Sequence, residues 1–224
     1  MTEVKNNQGV AEIVNFVKQN IIFGRMRPRE RLIEEDITAQ FGVSRHVARA
    51  AMVELEQIGI VTRRPNKGAM VRDFSVEEVE QIYDVRGFLQ AEAVRRIPMP
   101  AAKPFLADLQ EIHEKYCSAY DRQALQEVCT INNRFHHRIW QECGNNILVS
   151  LIDRVWTESL GIRCYGIGDP NLLAIARAEH GRMIDLLRDG DRDGFLALSF
   201  QHMQPSLEAY KRAHGGWSAR AANF

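Results

Sequence analysis

The long C-terminal part of the sequence, from Ser75 onward, carries helical patterns and no strand pattern. Apolar residues recur there at helical spacing over 76–97, 104–119, 122–142, 145–165, 171–189 and 192–213. Breaks that contain glycine or proline separate these stretches. Successive amphipathic helices bury their apolar faces by packing against one another. The sequence therefore predicts an all-α antiparallel helical bundle over 76–214, followed by a flexible tail over 215–224.

The N-terminal part, residues 1–73, has a different pattern. Helical spacing is found over 10–24, 33–40 and 44–58. Two strand-like stretches, at 60–62 and 69–71, flank the turn sequence PNKG. Three helices followed by a hairpin are the outline of a winged helix-turn-helix. The predicted fold is thus mainly α, with a winged helix-turn-helix domain before the helical bundle.

Cations cluster in the predicted third helix and in the hairpin, although the whole chain has a formal net charge of zero. Arg45 and Arg49 lie one helical turn apart and repel each other, which a polyanion would reverse. Ser44 is an N-cap residue type, so a helix is expected to begin there. Such a local basic patch indicates contact with nucleic acid. The predicted DNA-binding residues are Ser44, Arg45, His46, Arg49, Arg64, Lys67 and Gly68.

These N-terminal stretches resemble the DNA-binding domain of the GntR family of bacterial transcription regulators, through GRMRPRERLIEEDITAQFGVSR and LEQIGIVTRRPNKGAMV. The remainder is similar to the FCD-type ligand-binding domain of the family's FadR-type branch, through IYDVRGFLQ, NRFHHRIWQECGN and AEHGRMIDLLRDGD. The resemblance implies a repressor that binds a double-stranded, pseudo-palindromic operator as a homodimer and responds to a small effector. His46-Val47 departs from the Thr-Pro that the family usually has there, so the operator cannot be copied from relatives.

The resemblance also implies a divalent metal ion, zinc or nickel, at Asn132, His136, His180 and His202. Helical spacing places the first two of these on the apolar face of one helix, and His180 on the apolar face of another. A single core histidine more often bonds a backbone carbonyl or a hydroxyl, and that alternative stays open. Asn132 stands where the family has Asp, and a neutral oxygen is a weaker ligand for a divalent cation.

Two arginines are candidates for binding a small organic acid as effector. Arg86 lies beside the apolar positions of its predicted helix, and in this branch the arginine there often faces the ligand cavity. A guanidinium can bind a carboxylate through two hydrogen bonds. Arg163 is a weaker candidate of the same kind. The alternative is that Arg86 pairs with a carboxylate of the core.

Other classes of function fit the sequence less well. A metal-dependent hydrolase needs a general base next to the ion, and Glu179 is turned about 100° from His180 on a helix. A helical domain that serves only dimerisation remains the main alternative. The four cysteines form no CxxC pair, and no signal peptide or long apolar run is visible, which predicts a cytoplasmic protein without a membrane partner.

Overall fold

The computed structural model describes the backbone of residues 2–63, 68–167 and 169–221, and the side chains of 6–63, 68–163, 166 and 169–213. Contacts divide the chain into two compact units. The first comprises Met1–Ser75 and Thr157–Cys164, and the second comprises Val76–Trp156 and Tyr165–Phe224. The sequence predicted domains over 1–73 and 76–214, and did not foresee that a segment near residue 160 groups with the N-terminal unit.

Three helices begin the first unit: α1 (Thr2–Ile22), α2 (Glu34–Phe41) and α3 (Arg45–Gln57). The Ser44 side chain accepts a hydrogen bond from the backbone N–H of Val47, which confirms the predicted start of α3. Gly42, with a φ of 62°, ends α2 in the left-handed conformation. Helix α3 packs against α1 through a buried face that contains Val47, Ala51 and Leu55.

A three-stranded antiparallel sheet completes the winged helix-turn-helix. Its strands are β1 (Arg31–Leu32), β2 (Val61–Arg63) and β3 (Ala69–Val71), in the order β1-β3-β2. Strand β1, which the sequence did not predict, has only two residues and gains its partners from β3 far along the chain. The tip of the predicted wing, 64–67, lies outside the described residues.

The second unit is helical. It contains α4 (Val76–Arg96), α5 (Lys103–Asp121), α6 (Leu125–Gln141), most of α7 (Asn146–Glu158), the end of α8 (Leu160–Ile167), α9 (Pro170–Asp189) and α10 (Arg192–Ala221). The last two residues of α7 and the first five of α8 belong to the first unit. Helices α5, α6 and α9 pack together, and α10 packs against α4 and α9. Aliphatic and aromatic side chains of these helices form a large buried core, and a smaller buried cluster lies among α5, α6 and α9. The predicted all-helical bundle is confirmed.

Two details differ from the predicted helices. The expected helix over 145–165 is broken at Ser159, which is fully buried between α7 and α8. Helix α10 continues to Ala221, through most of the segment predicted as a flexible tail, and residues 222–224 lie outside the described part. Among the described residues, no helix has the length and apolarity needed to cross a membrane.

Candidate metal centre and recognition surfaces

Three histidines from three helices meet in the second unit. His136 lies on α6, His180 on α9 and His202 on α10, and one ring nitrogen of each lies within 4.8 Å of those of the other two. The three ring centroids are 5.0–5.1 Å apart. The structure thus brings together the three histidines that the sequence singled out.

His180 is completely buried in the middle of this cluster. Its ring stacks on Phe135, with centroids 4.3 Å apart, and meets the edge of Tyr116 at 5.0 Å. Neither ring nitrogen has a hydrogen-bond partner among the described residues. Burial, followed by the proximity of His202 and His136, holds the pKa of His180 well below its usual value. The ring is therefore neutral near pH 7, the form that binds a metal ion.

Hydrogen bonds orient His202. Its Nδ1 lies 2.6 Å from Oε2 of Glu179, and its Nε2 lies 3.2 Å from Nε2 of His136. A carboxylate oxygen accepts, so Nδ1 of His202 carries the proton that is donated to Glu179. The opposite nitrogen, Nε2, is directed toward His136.

This donor set fits a divalent ion of the zinc or nickel type. Two nitrogens that each lie about 2.0–2.1 Å from a tetrahedral ion are about 3.3 Å apart, close to the 3.2 Å between His136 Nε2 and His202 Nε2. A ring nitrogen of His180 could provide a third ligand, since neither has a hydrogen-bond partner among the described residues. Asn132 is half-buried on α6, one helical turn before His136, and its place as a fourth ligand stays a prediction.

A buried guanidinium lies in the same unit. Arg86 on α4 is only 3% exposed, and its carbon Cζ lies 4.5 Å from the ring centre of Tyr83 and 5.0 Å from that of Trp156. Its Nε and Nη1 have no hydrogen-bond partner among the described residues. Burial lowers the pKa of Arg86. A buried guanidinium of this kind can bind an anion.

Two other buried polar atoms lie on the same helix as Arg86. Within the described residues, Tyr83 Oη and Gln90 Nε2 are also buried without a hydrogen-bond partner. Trp156 connects this group to the histidines, because its ring centroid lies 5.2 Å from that of His136. The Trp156 Nε1 donates to Asn133 Oδ1, which fixes the indole. The Trp156 ring therefore contacts both Arg86 and the histidine cluster.

The second predicted effector residue, Arg163, is assigned to the other unit. It is buried on α8, in the segment that groups with the first unit, whereas Arg86 belongs to the second unit. The structure does not bring these two arginines together within one unit. Binding of an effector by Arg163 stays a prediction without support from its position.

The predicted DNA-binding surface lies at the N-terminal end of α3. The side chains of Arg45 and Arg49 are 70% and 69% exposed, and His46 is exposed between them. Arg49 Nε donates to Glu34 on α2 at 2.8 Å, and Arg45 lies 3.9 Å from Glu35. The acidic start of α2 thus already compensates part of the repulsion that the sequence argument assigned to a polyanion.

The structure describes one of the three predicted wing residues, Gly68. Arg64 and Lys67 lie outside the described residues. Gly68 follows them with a φ of 75°, and a Cβ there would lie 2.3 Å from the backbone oxygen of Leu32. The close approach of β1 therefore explains why this position is glycine, whether or not it touches DNA.

Comparisons with known proteins agree with this architecture. Residues 10–71 match the family described as "Bacterial regulatory proteins, gntR family", and residues 81–205 match the FCD domain. A helix-turn-helix-type transcriptional regulator, McbR of Escherichia coli K12, is 24% identical over 147 residues, which cover 66% of each chain. A second relative, YdhC of Bacillus subtilis, is 27% identical and is matched over 65% of its length. The alignments with these two relatives thus span just under two-thirds of their lengths.

Other relatives are matched over more of their length. The Nta operon transcriptional regulator of Aminobacter aminovorans is 27% identical over 81% of this chain and 85% of its own. Among solved structures, McbR of E. coli superposes with a TM-score of 0.74 at 20% identity, covering 92% of this chain and 98% of McbR. A regulator from Rhodococcus sp. RHA1 gives a TM-score of 0.75 at 21% identity, covering 91% and 98%.

The matched pair of domains, a winged helix-turn-helix of the gntR type and an FCD domain, is that of bacterial transcription regulators, and the matched relatives are named as transcriptional regulators. The chain belongs to the GntR family of bacterial transcription regulators, in the branch with an FCD domain.

Proposed function

We propose that this regulator is a homodimeric repressor that binds a pseudo-palindromic operator and responds to a small carboxylic acid held inside the helical unit. The observation that carries the proposal is the buried guanidinium of Arg86, two nitrogens of which lack a hydrogen-bond partner among the described residues. A buried donor without a partner costs about 1–3 kcal/mol. A bound carboxylate that accepts a hydrogen bond from the guanidinium removes part of this penalty.

The surrounding donors favour an acid with a second oxygen function, such as a hydroxy acid or a sugar acid. Gln90 Nε2 and Tyr83 Oη lie on the same helix as Arg86 and lack partners among the described residues. Each can bond a hydroxyl or carbonyl oxygen of the ligand. The test is a thermal-shift screen of small organic acids. We expect hydroxy acids to raise the melting temperature more than alkylamines of the same size.

The proposed metal ion, zinc or nickel, is held by His136, His180 and His202, with Asn132 as a weak fourth ligand. When bound, it supplies a Lewis acid that can take an oxygen of the effector. Elemental analysis before and after a chelator tests this assignment. Near-stoichiometric metal that is lost from His180→Ala supports the site; wild-type protein that neither contains nor gains zinc or nickel contradicts it.

For DNA, we propose that Arg45 and Arg49 contact bases or phosphates in the major groove, with Ser44 and His46 beside them, and that Arg64, Lys67 and Gly68 approach the backbone from the wing. A base-reading arginine is worth about 1–3 kcal/mol. The double variant Arg45→Ala/Arg49→Ala should therefore weaken operator binding at least tenfold, or about 1.4 kcal/mol. Arg122→Ala, an exposed arginine of the second unit, is the control. Unchanged operator affinity in the double variant would contradict the assignment.

The homodimer follows from the need to read two half-sites. An exposed apolar patch on the second unit is the proposed contact between the two copies: Phe88 on α4 is 70% exposed and Phe200 on α10 is 58% exposed. Helices α4 and α10 meet beside these residues, because a Cβ at Gly87 would lie 3.6 Å from the Phe200 ring. Sedimentation should show that Phe88→Asp dissociates the dimer, whereas Ile147→Asp, at another exposed apolar residue, does not.

Regulation is tested with the acid found in the screen. Arg86→Met should keep operator binding and lose the response to the acid, which should otherwise change operator affinity about 5–150-fold. If no acid binds the wild type while the dimer and the DNA contacts are intact, the helical unit serves dimerisation alone.

A further inference from the structure

Glu179 is a buried carboxylate beside the histidine cluster. It precedes His180 on α9, and adjacent side chains on a helix point about 100° apart. Glu179 therefore does not share the direction of His180. Its Oε2 lies instead 2.6 Å from Nδ1 of His202, while its Oε1 accepts from Gln201 Nε2 at 3.4 Å. Both carboxylate oxygens thus contact side chains of α10.

The contact with Glu179 decides which ring nitrogen of His202 has a free lone pair for a metal ion. The carboxylate accepts a hydrogen bond from Nδ1–H, so Nε2 holds the lone pair in the neutral ring. That nitrogen lies 3.2 Å from Nε2 of His136. A carboxylate behind a metal-binding imidazole fixes the ring and its tautomer, and it increases the basicity of the ligand nitrogen.

The charge of this carboxylate matters because Asn132 is neutral. The three imidazoles add no negative charge, so nothing in a set made of them and Asn132 neutralises a divalent ion. Glu179 places one negative charge beside the cluster, because its carboxylate contacts the His202 ring.

We propose that Glu179 is a positioning residue for the metal site: it holds His202 as the Nδ1–H tautomer with Nε2 toward the ion and supplies the negative charge that Asn132 does not. This inference rests on the proposed metal site. It assigns no contact between Glu179 and the ion itself.

The experiment compares zinc and nickel affinity, by chelator competition, in the wild type, in Glu179→Gln and in Asp153→Asn. Asp153 is the matched control, because its carboxylate also lies 2.9 Å from a histidine Nδ1, that of His137, outside the cluster. Loss of a carboxylate behind a metal-bound imidazole weakens binding roughly 10–100-fold. We expect that loss in Glu179→Gln, with the melting temperature of the metal-free protein unchanged, and less than about a twofold change in Asp153→Asn. Equal affinity in Glu179→Gln and wild type would overturn the proposal and leave the metal site intact.

A second measurement does not depend on metal. The ¹⁵N shifts of the metal-free wild type report the tautomer of His202, and we expect the proton on Nδ1. A proton on Nε2 of neutral His202 overturns the role of Glu179, even if Glu179→Gln fails to fold. Failure of the wild type to bind zinc or nickel overturns the metal site itself, and the positioning role falls with it.

Discussion

Arg86→Met should make the effector-free protein more stable while it removes the response to the acid. Two nitrogens of the buried guanidinium lack partners among the described residues, and two unpartnered donors cost about 2–6 kcal/mol in total. The contacts with the rings of Tyr83 and Trp156 return about 1–4 kcal/mol. Methionine has a similar length and no charge. The substitution therefore removes both the cost of the unpartnered donors and the favourable contacts with the two rings. We expect a net gain of about 1–2 kcal/mol.

The assay is thermal unfolding in the absence of organic acids, followed by a titration with the acid identified by screening. For a protein of this size, the expected gain raises the melting temperature by about 2–8 °C. Wild type should gain further stability from the acid, and Arg86→Met should gain none.

Arg192→Met is the matched control. The Arg192 guanidinium donates to the backbone oxygens of Val94, Arg95 and Ile97 at 2.6–2.9 Å. Removing these bonds should lower stability by at least about 1.5 kcal/mol, the opposite sign to Arg86→Met. If Arg86→Met is destabilised like the control, Arg86 has a structural partner, and the reasoning that leads from its burial to an external anion is wrong.

Three further predictions concern single positions. The pKa of His180 is lowered in the folded state, so the unfolded chain takes up a proton at a higher pH than the folded protein does. The free energy of unfolding should therefore fall as the pH drops below about 6.5, by up to about 1.4 kcal/mol per pH unit until the folded pKa is reached. Urea unfolding of chelator-treated protein at pH 7.5 and 5.5 should show a smaller pH effect in His180→Gln; an equal effect would refute this. Urea unfolding should show that Gly68→Ala is destabilised by more than about 2 kcal/mol, since a clash with the Leu32 backbone adds to the strain of a positive φ. Gly42→Ala has open space around the new Cβ and should be destabilised by the strain alone, about 1–2 kcal/mol. Asn132→Asp should tighten zinc binding in chelator competition, because a carboxylate replaces an amide; unchanged affinity would place residue 132 outside the ion's reach.

Local patterns made most of the fold predictable from the sequence. The Ser44 cap and the helical spacing depend on residues within one or two turns. Elements that depend on distant partners were not predictable: β1 exists because β3 pairs with it, and the break at Ser159 carries no glycine or proline.

The candidate site shows the same division. Helical spacing placed His136 and His180 on inward faces, and the structure brings them together with His202. The carboxylate partners were missed, because they depend on how helices pack. Glu179 reaches a residue on α10, and Glu34 reaches Arg49 across the helix-turn-helix. A pattern within one helix cannot show which side chain of another helix it will meet.

The segment Thr157–Cys164 makes the N-terminal unit discontinuous in sequence. Glu158 bonds Arg72 at 2.6 Å, and a Cβ at Gly161 would lie 3.8 Å from Ile21. The chain therefore passes between the units three times, after Ser75, after Trp156 and after Cys164. A fragment cut at Ser75 leaves Arg72 without this carboxylate and uncovers part of α1. The DNA-binding domain of this regulator is therefore poorly suited to transfer into a chimeric protein. A transferred domain would also need these eight residues, which lie in the middle of the sequence of the other domain.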